Sequence, residues 1–378
     1  LTGDRNIAIG ANAGVALQGA GAENVLIGAY AGDAIRTGTS NTIIGDNAGS
    51  GITTAAGNVV MGHNALQDGE SGNDNVVIGN NAGFYATSIT QNTIIGASAC
   101  STGNAFTGGN NTVIGRASGN NLTSGSENTF LGAEAGDGTD DGANCVAVGF
   151  RALSSNCGDN NVALGTSAGF SVTGSGNVLI GKGAAQNTTA LTSGQNNIVI
   201  GLNARTAAAD TNNSIVMGEN VGGQASNNFT FGVGTTVSNI VFGETSITAP
   251  SDERYKEDIT TSTAGLAFIK DLRPVTFKWK KEKDVPTNSD SYVEDSNTRV
   301  MLSNGETNHG FIAQEVKTVI DNHPEIKDGF KMWAEQEGAD KRQRLAPSEL
   351  IPILVKAVQE LSAKNDALEA RIATLEAG

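Results

Sequence analysis

The sequence predicts an all-β repeat shaft, a trimeric parallel β-roll or β-solenoid, followed by a small α+β domain that ends in a long coiled-coil helix. Three observations predict it. A five-residue pattern recurs about every 17 residues through the first 243, composition changes abruptly near residue 250, and the last 25 residues carry a heptad run of apolar positions.

The pattern is Asn-x-hydrophobic-hydrophobic-Gly. It reads NIAIG at residues 6–10, NVLIG at 24–28, NTIIG at 41–45, NVVMG at 58–62 and NVVIG at 75–79, and it continues to NFTFG at 228–232 and NIVFG at 239–243. Cys145 and Ser214 take the asparagine position in two of the fifteen copies. The glycines are 18, 17, 17, 17, 17, 19, 17, 17, 16, 16, 20, 17, 14 and 11 residues apart. Residues rich in Val, Ile and Thr make a short strand. Asparagine ahead of it is expected to bond its own backbone in a turn, and glycine behind it to take a positive φ or a close backbone approach. Three residues beyond the glycine most copies carry alanine, as in GANAG, GAYAG and GDNAG, where a large side chain is not expected to fit. The Gly-, Ser-, Asn- and Thr-rich remainder forms a loop that absorbs the length variation.

One such unit cannot bury its apolar side, so the units must stack. Fifteen rungs at the strand spacing of ~4.8 Å span roughly 70 Å. With 5% aromatic residues the core is expected to be thin, and three chains about one axis would add burial and cover strand edges. The last two copies shorten and gain Phe229, Phe231 and Phe242, which reads as a neck leading to a junction.

Composition excludes several classes. The net charge is −15; residues 1–250 hold 6 Lys and Arg against 16 Asp and Glu, and residues 251–378 hold 18 against 23. No basic stripe exists to neutralise phosphates, so nucleic acid is not an expected partner. Cys100, Cys145 and Cys157 form no disulfide framework and read as buried free thiols; no histidine lies at ligand spacing, so neither a metal nor another cofactor is expected. No apolar run of ~20 residues and no signal sequence is present, so no membrane insertion is expected. Leu1 is not an initiator, and the chain is expected to be a piece of a longer protein.

From Ser348, a candidate N-cap, the pattern turns helical. Leu354, Val358, Leu361, Asn365, Leu368, Ile372 and Leu375 follow 4–3 steps, a coiled-coil seam with one polar break at Asn365. An amphipathic helix packed on its own domain would favour a wider stripe. Heptad rules alone lean toward two strands.

Two resemblances add to this. The Asn-x-hydrophobic-x-Gly-x-x-Ala rhythm of residues 1–243 resembles the head repeats of trimeric autotransporter adhesins and shafts of phage tail fibres. SDERYKEDI at 251–259, with LRPVTFKWK at 272–280, HGFIAQEV at 309–316 and LIPILVKAVQELSAKNDALEARIATLE at 350–376, resembles the intramolecular chaperone auto-processing domain at the C-termini of phage endosialidases, tail spikes and fibres. That resemblance implies a homotrimer and a cut between Pro250 and Ser251. Ser251 Oγ would attack the Pro250 carbonyl, and Lys256, once its ammonium is discharged by burial or nearby positive charge, would serve as base. Asp252 is a candidate for support, and His309 a weaker one, reading mainly as a packing residue. Gln314 and Glu315 read as structural, and His63 and His323 suggest no site.

The implied organisation is a shaft at 1–227, a neck and cleavage junction at 228–250, an auto-processing chaperone domain at 251–347 and a coiled-coil helix at 348–378. The implied function is a virion fibre or adhesin shaft. It would fold in the host cytoplasm, act outside the cell on a host receptor or glycan, and use its single-turnover serine–lysine self-cleavage for maturation only. The competing readings are a polysaccharide-degrading tail spike, which needs a paired-carboxylate cleft the scattered Asp and Glu do not supply, a cellular trimeric surface adhesin, and an ice-binding solenoid, which needs a continuous threonine ladder.

Overall fold

Each repeat copy up to residue 233 supplies one rung of a single parallel sheet. The structure is a computed structural model and describes residues 3–101, 103, 105–186, 191–244, 247–248, 251–289, 291–300, 305–327, 329–336 and 341–377. It divides into Leu1–Asp252 and Glu253–Gly378.

In the first unit, thirteen three-residue strands run from β1 (Ile7–Ile9) through β13 (Ile215–Met217), each paired in parallel with the next, and β14 (Asn228–Val233) pairs in parallel with β13. The register is exact in the repeat frame: Val25 faces Thr42, Leu26 faces Ile43 and Ile27 faces Ile44. Fourteen stacked strands enclose thirteen turns, about 60 Å of solenoid at the usual strand spacing. The fifteenth copy corrects the expected count of fifteen rungs. NIVFG lies at the end of β15 (Thr236–Val241), which folds back antiparallel on β14 through a turn at Gly234. Eleven residues are too few for a full circuit, so the chain reverses. There the central, inward residue is Thr230, whereas Phe229 and Phe231 stand half-buried on the outer face, ring centroids 5.0 Å apart.

The middle residue of each strand points inward. Leu26, Ile43, Val60, Val77, Ile94, Val113 and Phe130 are all fully buried, joined by the alanines Ala31, Ala48, Ala65, Ala82 and Ala99 and by a third set including Ile35, Ile52 and Leu122. Each turn thus closes on its own core within one chain, so thin burial does not by itself call for three chains. The aromatic-poor composition suffices because a circuit of ~17 residues leaves room inside for only a few side chains of Val, Ile and Ala size.

Asparagine does more than the expected local turn. Asn41 Oδ1 accepts from the Asn58 backbone N–H at 3.1 Å and the Asn58 amide at 3.1 Å, while the Asn41 amide donates to Asn24 Oδ1 at 3.0 Å and to the Ala55 carbonyl at 2.9 Å. The same bonds recur at Asn58, Asn75 and Asn92, giving a buried amide ladder along the axis. The expected bond within the turn is made as well in several copies: Asn161 to the Gly158 carbonyl at 2.6 Å, Asn92 to the Thr90 carbonyl at 3.1 Å and Asn58 to the Ala56 carbonyl at 3.3 Å. A buried amide needs most of its bonds made, and the neighbouring rung provides them. The glycine column behaves as expected. Gly79 has φ +141°, and a Cβ there would lie 2.5 Å from the Gly96 carbonyl oxygen. Further left-handed positions fall two residues beyond that glycine (Tyr30, Asn47, Asn81) and one before the ladder asparagine (Ser40, Asp74, Asn110), the conformation that Asn and Asp tolerate best.

The second unit is built on α1 (Leu266–Asp271), α2 (Ala313–Asn322) and α3 (Leu350–Glu376), with the antiparallel pairs β16 (Val275–Phe277) with β17 (Asn308–Gly310) and β18 (Trp333–Glu335) with β19 (Gln343–Leu345). Phe268, Val316, Ile320, Met332, Leu350 and Ile353 form its core. Ser348 is not the cap of α3: it lies in a 3-10 turn, Pro347–Glu349, and Glu349 precedes the helix without a side-chain capping bond. Glu360 of α3 instead accepts the Leu266 N–H at 2.9 Å, capping α1 from a distant element, and a Cβ on Gly265 would sit 2.6 Å from its carboxylate. His323, which follows α2, sits edge-on to Phe268 with one ring nitrogen 2.8 Å from Glu325 Oε1 and the other 2.9 Å from Asp271 Oδ2. Only the imidazolium donates from both nitrogens. Glu325 and then Asp271 therefore hold His323 above its ordinary value of 6.5, and His323 holds Glu325 below the usual carboxylate range.

Two outcomes are expected. Asn58→Ala strands several buried donors and acceptors and is expected to cost at least about 2 kcal/mol, whereas Thr42→Val, on the outer face, stays within about 0.5 kcal/mol; urea midpoints by far-UV circular dichroism compare them. Both tryptophans, Trp279 and Trp333, lie in the second unit, so their fluorescence follows that unit alone. A raised histidine value stabilises fully below the ordinary value and is lost as pH rises through the raised one. The lowered Glu325 acts above the ordinary carboxylate value and is lost as pH falls. The fluorescence-detected urea midpoint is therefore expected to fall as pH rises from the ordinary histidine value through the raised one, and His323→Gln to lower it at the acid end and flatten the slope.

Candidate functional site

The segment at the division between the two units is short and solvent-facing. Ser251 and Asp252 are exposed, a single 3-10 turn follows at Glu253–Tyr255, and the Lys256 N–H closes it on the Glu253 carbonyl at 3.0 Å. Lys256 is itself exposed. Nucleophile and base candidates thus flank one turn, a local arrangement that their spacing of five residues dictates. Pro250, the other side of the expected cut, lies outside the described residues. His309 occupies the middle of β17 opposite Thr276, with an exposed side chain, a strand position and not a place in a cleft.

The structure joins two of the quoted segments directly. LRPVTFKWK supplies β16 and HGFIAQEV supplies β17 and the start of α2, so Val275 faces Gly310 and Phe277 faces Asn308. Arg273 then forks onto Glu315: Nε lies 2.9 Å from Oε2, and a second guanidinium nitrogen bonds Oε1. Each partner favours the charged form of the other, which raises Arg273 above and lowers Glu315 below its ordinary value. Glu315 thus links the start of α2 to the LRPVTFKWK segment. Arg273 and Glu360 went unread in the sequence because their partners lie 42 and 94 residues away.

The helix α3 presents two different faces. Leu350, Ile353 and Ala357 are buried on their own domain, whereas Leu354, Val358, Leu361, Leu368, Ile372 and Leu375 are 43–73% exposed. Asn365 lies in the same row, its amide 2.7 Å from Glu369 Oε1, and together with Val358, Leu361 and Leu368 it lines a shallow open groove along the helix. The heptad residues are thus not the ones that hold the helix to its domain.

Among the described residues, no group of three or more His, Cys, Asp or Glu could hold a metal ion, and no helix is long and apolar enough to cross a membrane.

Residues 251–323 fit the family model described as chaperone of endosialidase, a peptidase family. No curated protein and no solved structure matches the chain significantly. The matched segment begins at Ser251 and takes in the 3-10 turn, both strands of the β16–β17 pair and α2. A β-solenoid shaft followed by a chaperone-of-endosialidase segment marks a fibre- or spike-like protein that carries its own folding chaperone, and the family implies a self-cleaving peptidase activity.

Proposed function

We propose that the chain is part of a trimeric fibre whose C-terminal unit gathers three copies, sets their register and then cuts itself off between Pro250 and Ser251. The observation that carries this reading is the apolar row of α3, exposed along its length in a unit whose opening matches an intramolecular chaperone family. An unpartnered row of this kind supports association with other helices.

The shaft has a corresponding surface. The first and third residues of each strand point outward in two columns, of which Ile9, Leu131 and Met217 are 59%, 45% and 40% exposed. Over thirteen turns these columns cover about 600 Å² per chain at the usual strand dimensions, approaching the roughly 800 Å² per partner of a standard interface. Copies meeting on this strip would bury it. In this reading the fibre is a virion appendage whose shaft meets a host-cell surface.

The cut follows from serine–lysine chemistry. Ser251 Oγ attacks the Pro250 carbonyl carbon, and the uncharged Lys256 amine takes the hydroxyl proton. The peptide nitrogen of Ser251 leaves with a proton, and water then releases the ester formed on Oγ. A base role requires a desolvated, neutral amine. Since Lys256 is exposed in the single chain, the reading ties cleavage to assembly: neighbouring copies supply the burial. Asp252 is left for orientation of the pair, and His309 takes no part.

Mass spectrometry of the purified protein is expected to find a new N-terminus at Ser251. Ser251→Ala should abolish it, and Lys256→Ala should slow its appearance roughly a hundredfold or more; an intact unmutated chain after complete folding would count against the cut. Replacing Leu361 and Leu368 by Asp touches no core residue of the second unit, so tryptophan fluorescence should stay native. Sedimentation is expected to shift from trimer to monomer and the chain to remain uncut. A trimer that survives both substitutions would sink the role given to α3.

A further inference from the structure

Two side chains in the shaft are used by nothing described so far. Cys145 takes the ladder asparagine position ahead of β9 (Val146–Val148), Cys157 ends the same circuit, and the two buried sulfurs lie 3.8 Å apart. The ladder explains the approach. An asparagine here would send its amide to the carbonyl three residues before the next ladder position, as Asn41 does to Ala55. Cys145 holds its sulfur 3.3 Å from that carbonyl, Gly158, and Cys157 is the residue just before that glycine. The Thr139 hydroxyl, 3.3 Å from the Cys157 sulfur, completes the polar surroundings. The hydrogen bond between the thiols favours a thiolate on Cys157, below its ordinary value, and pushes Cys145 up. Cys100 is buried elsewhere in the core, and burial pushes its thiol up as well.

We propose that Cys145 and Cys157 are a modification site: they form a disulfide that staples one circuit of the shaft when the protein folds in the presence of a disulfide oxidant such as glutathione disulfide. The Cys157 thiolate attacks one oxidant sulfur and expels one glutathione thiolate. Cys145, after losing its proton, attacks the Cys157 sulfur of the mixed disulfide and expels the second. The two protein thiols lose two electrons and two protons, and the oxidant becomes two glutathione thiols. Both sulfurs are sealed from solvent in the finished shaft, so the exchange accompanies the closing of this turn. The bond closes a loop of about a dozen residues and restricts the unfolded chain. It adds a covalent link where the ladder lacks an amide, and it persists outside reducing compartments.

Trypsin distinguishes the three thiols, because Arg116, Arg151 and Lys182 place Cys100, Cys145 and Cys157 on separate peptides. The full chain is refolded in a glutathione redox buffer, alkylated, denatured, alkylated again and digested. The expected result is peptide 117–151 linked to 152–182, with Cys100 alkylated, and a urea midpoint above that of the reduced protein. Cys145→Asn restores the amide ladder and is expected to fold with a midpoint that no longer depends on oxidant. Alkylated Cys145 and Cys157 in fully refolded protein, a link through Cys100, or a midpoint unmoved by oxidation would overturn the proposal. If refolding fails, natively purified protein held with glutathione disulfide in sub-denaturing urea, where turns open locally, is trapped and digested in the same way, and the same outcomes decide.

Discussion

The constraint on which the shaft depends is that each turn must offer the next one the same donors and acceptors at the same places. The asparagine ladder is its clearest expression. From Asn24 onward its amides are buried, and most of their bonds are made by the rungs on either side, as for Asn58 between Asn41 and Asn75. A buried amide without those partners would be costly, so no turn is satisfied until its neighbours have formed. The glycine column obeys the same rule from the backbone side: carbonyls of successive rungs approach so closely that Gly79 and its equivalents leave no space for a Cβ. Length varies only in the loops, because the ladder, the strand and the glycine tolerate no insertion.

That same uniformity creates the assembly problem. One rung looks much like the next, so copies placed side by side have many nearly equivalent alignments, and pairing by side-chain pattern specifies register weakly. The features that break the uniformity are few: a cysteine or serine in the ladder, Phe130 in place of an aliphatic residue, and the reversal at β14 and β15. In the proposed reading a separate unit with its own core relieves the shaft of this task. α3 suits such work because the residues that anchor it, Leu350, Ile353 and Ala357, differ from those left exposed along its row. A shaft aligned once and then parted from the unit that aligned it would be held by the barrier to unfolding more than by a large equilibrium stability.

The sequence made the shaft legible because its repeat imposes the same physics on fourteen stacked strands, and a wrong reading of one copy is corrected by the rest. Strand positions, the glycine column and the small alanine slot all follow from local chemistry. The asparagine was read only in part, because its local bond is visible in sequence while its partner on the next rung is not; only stacking brings Asn24 Oδ1 to Asn41. The phenylalanines of the last copies were open for a similar reason, since facing is fixed by strand register and Phe229 and Phe231 flank the inward Thr230. In the second unit the motif residues and the heptad row were readable. The Arg273–Glu315 fork, the Glu360 cap and the two carboxylates about His323 were not, because each joins segments distant in the chain.

By itself the sequence determined the period, the residue each slot of a turn accepts, the change of character near residue 250 and the row of apolar positions on the last helix. These are consequences of side-chain size, backbone freedom and periodicity, all of them local. Only the tertiary structure decided that a turn closes on its own core in one chain, that the final copy reverses instead of stacking, and that Cys145 and Cys157 meet. Each depends on where a circuit of about 17 residues returns the chain relative to the circuit before it, and no window of sequence shorter than that circuit contains the answer.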